Sequence, residues 1–307
     1  MPTTRLTLPS SLDEIDLSVL VTTPGTHPRG ILQMVHGMSE HKERYLPMMD
    51  WLSSMGFVCC MHDNRGHGQS IREERDLGYM YEGRDRGLVE DVWVVNNYLH
   101  RTFPDIPLFM YGHSMGSLIV RCYLKKYACS IDGLIVCGSP SWNSSASAGR
   151  MLCRVLSFFQ GERKRSRLMT NLTLGGFSKG LEGSPNGWLS TIEEEVLAYD
   201  NDPLCGFPFT LNGYYSLLSL LKDCYRSKDW HVNCPDLPIW FIAGEMDPCI
   251  GNEALWRSAQ ENLRLHGYRN ITCKLYPGVR HEIHNDTSRQ MVREDILGKL
   301  EEWSSKG

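Results

Sequence analysis

Short apolar runs that alternate with amphipathic stretches of helical length are the strongest constraint on this chain. Residues 30–35 (GILQMV), 57–62, 108–111 and 131–137 are apolar on both faces, and the strand–helix beat resumes later with strands at 237–243 (LPIWFIA) and 271–276. Between them lie helical stretches at 44–54, 86–100, 115–127, 253–266 and 286–303; in the second, Leu88, Val92, Val95 and Leu99 fall on one face. Strands buried on both sides and separated by helices pack as a parallel sheet covered on both faces. Two alternating runs, 5–8 and 16–21, precede this rhythm and are predicted as edge strands. The expected class is α/β, a mostly parallel, doubly wound sheet.

The rhythm stops after Ser139. SPSWNSSASAG reads as a small-residue linker, 151–160 as an amphipathic helix, and Gly175, Gly176, Gly180, Gly183, Pro185 and Gly187 as markers of irregular chain. The beat resumes near residue 236. The predicted organisation is therefore a core in two parts, 1–138 and 236–307, with 139–235 inserted as a helical lid or cap.

A net charge of -4 leaves no general basic field for a polyphosphate backbone, so nucleic acid is not expected as a partner. The eleven cysteines show no C-x-x-C spacing and several sit in apolar runs, which reads as buried thiols in a reducing compartment. The first residues lack the apolar core of a secretion signal, and no run approaches the length of a membrane span. A cytoplasmic protein is expected, with peripheral contact at a membrane surface left open. No oligomeric state follows from the sequence.

The chemistry is predicted at three strand ends. The run at 108–111 leads straight into Gly112-His113-Ser114-Met115-Gly116 and a helix, the strand-turn-helix setting of a G-x-S-x-G nucleophile elbow. Small residues at 112 and 116 permit the sharp turn that lifts Ser114 above the sheet. A serine hydroxyl needs an imidazole to take its proton and a carboxylate to orient that imidazole. Asp247 follows the strand ending at Ala243, and His281 follows the strand ending at Tyr276, so the order Ser, Asp, His is that of the α/β hydrolases. Glu245 and His284 are the rival acid and base. His284 precedes Asn285-Asp286, a helix-start signal, and is assigned to packing or capping. One His281-x-x-His284 pair without a third clustered ligand does not make a metal site, and neither metal nor organic cofactor is expected. Two backbone N–H groups should hold the oxyanion: Met115, after the nucleophile, and Met38, in the His36-Gly37-Met38 turn.

HGMSEH at 36–41, DNRGHGQS at 63–70 and GHSMGS at 112–117 together resemble the α/β-hydrolase superfamily, and within it the monoacylglycerol lipase and lysophospholipase branch. Asp202-Pro203-Leu204 is similar to a D-P-L stretch of that branch, whereas Ser117 replaces its usual second glycine. Asp63 to Ser70 reads as a structural turn with His67 as a packing residue. The resemblance implies a serine hydrolase acting on a small-molecule acyl ester, of monoacylglycerol or lysophospholipid type, through an acyl-enzyme. An acyltransferase using the same triad, or a non-catalytic ligand-binding protein on the same fold, remains the alternative. Apolar residues such as Met151, Leu156, Phe158 and Phe159 beside Arg163, Lys164, Arg165 and Arg167 suggest an acyl tunnel and a transient membrane-surface contact through the lid.

Overall fold

In the computed structural model, which describes residues 1–305, eight strands form one sheet. They are β1 (Thr3–Pro9), β2 (Asp16–Thr22), β3 (Gly30–Val35), β4 (Phe57–His62), β5 (Leu108–His113), β6 (Gly133–Cys137), β7 (Ile239–Gly244) and β8 (Ile271–Tyr276), in spatial order β1-β2-β4-β3-β5-β6-β7-β8. β1 and β2 pair antiparallel, as do β2 and β4, and every later pairing is parallel. β3 to β7 are buried at every position, which is why their sequences do not alternate.

Helices cover both faces. On one side, α2 (Arg84–Thr102) and α3 (Met115–Tyr127) lay Leu88, Val92, Val95, Leu118 and Ile119 against the sheet, joined by Trp256 and Leu263 of α8 (Glu253–Leu265). On the other, α1 (Leu46–Ser54) and α9 (Arg289–Ser304) contribute Met48, Met49, Leu52, Val292, Ile296 and Trp303. Each helix therefore shows the apolar stripe that its periodicity predicts.

Three expectations need correction. The run at 16–21 is not an edge strand: β2 lies between β1 and β4, and only its polar Asp16 and Ser18 escape full burial. The segment between β6 and β7 is less irregular than its glycines suggest. Its first helix, α4 (Ala146–Gln160), takes up the end of the presumed linker, and α5 (Arg167–Thr173), α6 (Glu193–Asn201) and α7 (Leu211–Tyr225) follow. The start of α7, Leu-Asn-Gly-Tyr-Tyr, has poor helix propensity. It is held by the Thr210 side chain accepting from Gly213 N–H (3.2 Å) and by burial of Tyr214, Leu218, Leu220 and Leu221, so tertiary packing overrides propensity. Finally, Cys129 and Cys234 are joined in a disulfide, with Cα atoms 5.7 Å apart, where a reducing compartment was expected. The partners are 105 residues apart, a proximity that only the fold creates. No helix among the described residues is long and apolar enough to cross a membrane.

Candidate active site

The sharpest backbone feature of the core is at the β5–α3 junction. Ser114 has φ 54° and ψ -119°, a conformation costly for any residue with a Cβ and held here by the packed elements around it. A Cβ on Gly112 would lie 2.6 Å from Gly116 O, and one on Gly116 would lie 2.2 Å from Val35 O. Both positions therefore admit only glycine without moving the backbone. Ser117, the departure from the family pattern, is buried and donates its hydroxyl to Ser114 O at 2.5 Å, so it fastens the turn instead of crowding it.

Asp247 sits just beyond β7 and His281 just beyond β8, and the fold brings them together: Asp247 Oδ2 accepts from His281 Nδ1 at 2.9 Å, both side chains being almost fully buried. Asp247 Oδ1 also accepts from Cys249 N–H at 2.8 Å, which fixes the carboxylate. Burial alone would push the His281 imidazole down. The neighbouring Asp247 carboxylate outweighs that through its charge and hydrogen bond, and holds the pKa above its ordinary value. His281 Nε2 stands 3.9 Å from Cys249 Sγ, its ring 4.8 Å from that of Trp188, and the Ser114 hydroxyl makes no hydrogen bond among the described residues.

Met38, Ser114, Met115 and His281 line one cavity of about 1040 Å³. The loop after β3 passes directly over Ser114: a Cβ on Gly37 would be 3.0 Å from Ser114 Cβ. The Glu40 carboxylate accepts from Gly37 N–H at 2.6 Å and folds that loop back on itself. Among the described residues the backbone N–H groups of Met38 and Met115 have no acceptor.

Of the rivals, Glu245 is exposed. His284 is buried and stacked on Tyr45 (4.6 Å between ring centroids), and neither of its ring nitrogens has a partner among the described residues. Burial, helped by His113, pushes its pKa down to about 3. It is a packing residue. The Asp63 turn is likewise structural: its carboxylate accepts from Lys42 N–H (2.9 Å), Lys42 Nζ (2.6 Å) and Gln69 N–H (2.8 Å), and His67 packs between Phe207 and Phe209.

Sequence reasoning passed over the support behind the site. Glu40, Tyr45 and His113 share a buried cluster, with Tyr45 donating to Glu40 at 3.0 Å and His113 Nδ1 3.2 Å from the same carboxylate, while His113 Nε2 approaches His281 O at 3.3 Å. The motif letters Glu40 and His113 were visible, but not their contact. The insert is tied to the loop after β3: Ser39 Oγ donates to Phe207 O (2.7 Å), Gly206 N–H and Tyr199 OH donate to Ser39 O (both 2.9 Å), and His41 Nε2 meets Asp202 Oδ2 at 2.8 Å.

A family model described as serine aminopeptidase, S33, matches residues 26–288. The chain belongs to this family. The monoglyceride lipase of Saccharomyces cerevisiae is 31% identical to this S33 protein over 298 residues, covering 91% of this chain and 85% of its own. The monoacylglycerol lipase of Mycolicibacterium smegmatis is 26% identical over 277 residues, covering 90% and 89%. Among solved structures, a highly thermostable carboxyl esterase from Bacillus coagulans, in complex with glycerol, matches with a TM-score of 0.91 at 28% identity over 99% of both chains. This S33 protein is a serine ester hydrolase of α/β-hydrolase fold.

Proposed function

We propose that this chain hydrolyses long-chain acyl esters of monoacylglycerol or lysophospholipid type through Ser114, His281 and Asp247. The observation that carries the reading is the 2.9 Å His281–Asp247 pair opening, with Ser114, onto one cavity walled by Leu118, Leu152, Phe177 and Leu218. Ser114 Oγ attacks the ester carbonyl carbon as His281 Nε2 takes its proton. The N–H groups of Met38 and Met115, which have no other acceptor among the described residues, hold the oxyanion. His281 then protonates the leaving alcohol, water attacks the acyl-enzyme, and Asp247 keeps the imidazole in the tautomer with its proton on Nδ1. The relatives' activities and the glycerol in the Bacillus coagulans esterase support an acylglycerol substrate.

In this reading residues 139–235 are the lid, and its outer face touches the membrane that supplies the substrate. Met151, Val155 and Phe158 project from one side of α4 and are exposed, Phe158 at 84% with Phe159 beside it at 76%, and Arg154, Lys164 and Arg167 are exposed nearby. An apolar face flanked by cations suits an anionic bilayer surface. In vesicle flotation, the double variant Phe158→Ser, Phe159→Ser should bind phosphatidylserine-containing vesicles at least about tenfold more weakly, for the loss of two buried rings. Equal binding of variant and wild type would rule the contact out.

The test of function is turnover of monoacylglycerols, lysophospholipids and p-nitrophenyl esters of graded chain length. Long acyl chains should be preferred, with glycerol released from monoacylglycerols; a profile peaking at acetate or butyrate would overturn the substrate class. Protonated His281 cannot act as base, and its pKa is held above 6.5, so kcat/KM should fall on acidification with a midpoint above pH 6.5. A midpoint below that value would show that Asp247 does not govern the imidazole.

A further inference from the structure

Cys249 stands beside the triad without a part in the reaction. It lies in the short turn just after Asp247, is only partly buried, and lines the cavity together with Ser114 and His281. Its sulfur is 3.9 Å from His281 Nε2, the nitrogen that must accept the Ser114 proton. Asp247 holds the other ring nitrogen at 2.9 Å, so the imidazole proton stays on Nδ1 and Nε2 keeps its lone pair. A thiol S–H is a weak donor, which leaves that lone pair available.

A thiolate sulfur and a neutral imidazole nitrogen are the ligands that zinc-class cations prefer. Tetrahedral zinc, about 2.3 Å from sulfur and about 2.0 Å from nitrogen, spans such a pair at about 3.5 Å, so an approach of about 0.4 Å closes the site. Asp247, Cys249 and His281 offer ligand atoms that all lie within 4.8 Å of one another. Even where Asp247 stays on Nδ1, it supplies the carboxylate that commonly backs a metal-bound histidine. The charge around the site also favours a cation. Among the described residues the cavity lining includes Glu40 and Glu282, which share Arg44 as their counter-charge, and no lysine or arginine. Burial and the Asp247 charge push the Cys249 thiol up, so it yields its proton only to a cation that binds sulfur strongly. The other histidine, cysteine and carboxylate grouping, His41, Asp202 and Cys205, lacks a free nitrogen: the two His41 ring nitrogens lie 2.9 Å from Glu43 and 2.8 Å from Asp202.

We propose that Cys249 Sγ and His281 Nε2 together bind a thiophilic divalent cation of the zinc class, and that this binding reversibly shuts off ester turnover. The S–H bond breaks, its proton goes to solvent, metal–sulfur and metal–nitrogen bonds form, and water fills the remaining positions. Nothing is oxidised or reduced. The lone pair that would take the Ser114 proton is then committed to the metal, so the nucleophile is no longer activated. The cation is a regulator, not a cofactor. Its binding stands on the geometry of Cys249 and His281 alone, whereas the shut-off rests on the reading of Ser114, His281 and Asp247 as the triad.

The experiment titrates the folded full-length protein with cobalt(II) and follows p-nitrophenyl ester turnover in zinc(II). Wild type is compared with Cys249→Ala and with Cys273→Ala, which removes the exposed thiol on β8. Wild type and Cys273→Ala should show a thiolate-to-cobalt absorption band that Cys249→Ala lacks. Saturating zinc should lower wild-type turnover at least about a hundredfold, the scale of a lost general base. EDTA should restore the rate, and magnesium should not reproduce the loss. With each protein referred to its own metal-free rate, Cys249→Ala should need at least about tenfold more zinc for the same loss. An equal band or an equal zinc response in Cys249→Ala would overturn the proposal, as would a band without loss of turnover. X-ray absorption of the zinc-loaded wild type, expected to find sulfur and imidazole nitrogen together on the metal, decides the ligand set even if that variant does not fold. No turnover in EDTA would overturn the esterase reading and the shut-off with it, while the cobalt band still decides the cation site.

Discussion

Replacing Ser114 with alanine should lower ester turnover by roughly a millionfold, the scale seen when the nucleophile of a serine hydrolase is removed, with little change in stability. The second half of this expectation comes from the structure. The Ser114 hydroxyl holds no other group in place, and the positive φ of 54° burdens serine and alanine alike. Intact-mass measurement after fluorophosphonate treatment should find one adduct on the wild type and none on Ser114→Ala, with superimposable thermal melts. A variant that still labels once would place the reactive nucleophile elsewhere.

The second large effect is expected at Asp247. Asp247→Asn keeps the size of the side chain but removes the charge that opposes burial of His281, and its amide favours the wrong imidazole tautomer. Turnover should fall by about ten-thousandfold. Because the Asp247 carboxylate holds the imidazole up, the residual activity should also show its acidic limb shifted to lower pH. Glu245→Gln, two residues earlier on the exposed side of the same loop, should leave both rate and profile near wild type. Kinetics of the two variants across pH separate the assignments, and intact turnover in Asp247→Asn with loss in Glu245→Gln would reverse them.

Strands β3 to β7 were legible because they are largely apolar along their whole length, whereas β8, at the edge of the sheet, leaves Thr272 and Cys273 exposed. The bounds of β3, β4, β8 and α3 agree with the sequence expectation to the residue. The Asp247–His281 pairing was legible because each residue occupies a loop at a strand end, where short connections converge on the same edge of the sheet. What escaped depends on contacts between distant segments. α7 begins with Leu-Asn-Gly, a weak helix start that is held by Thr210 and by its packing on α3 and α4. Cys249 is two residues from Asp247, yet its place beside His281 Nε2 depends on where β8 delivers the histidine. The Glu40–His113 contact joins two motifs that look independent on paper.

The fastening of the insert to the loop after β3 divides the roof of the site into two parts with different freedoms. Ser39, the neighbour of Met38, is gripped by Tyr199, Gly206 and Phe207, so any change in that stretch of the insert is felt at the backbone above the reacting serine. Among the described residues α4 and α5 make no hydrogen bond to that loop, and their outer side chains reach into solvent. Natural variation can therefore reshape the end of the cavity lined by α4 and α5 while the end beside Met38 and Ser114 stays unchanged. Divergence among relatives of this chain should accumulate on that side first.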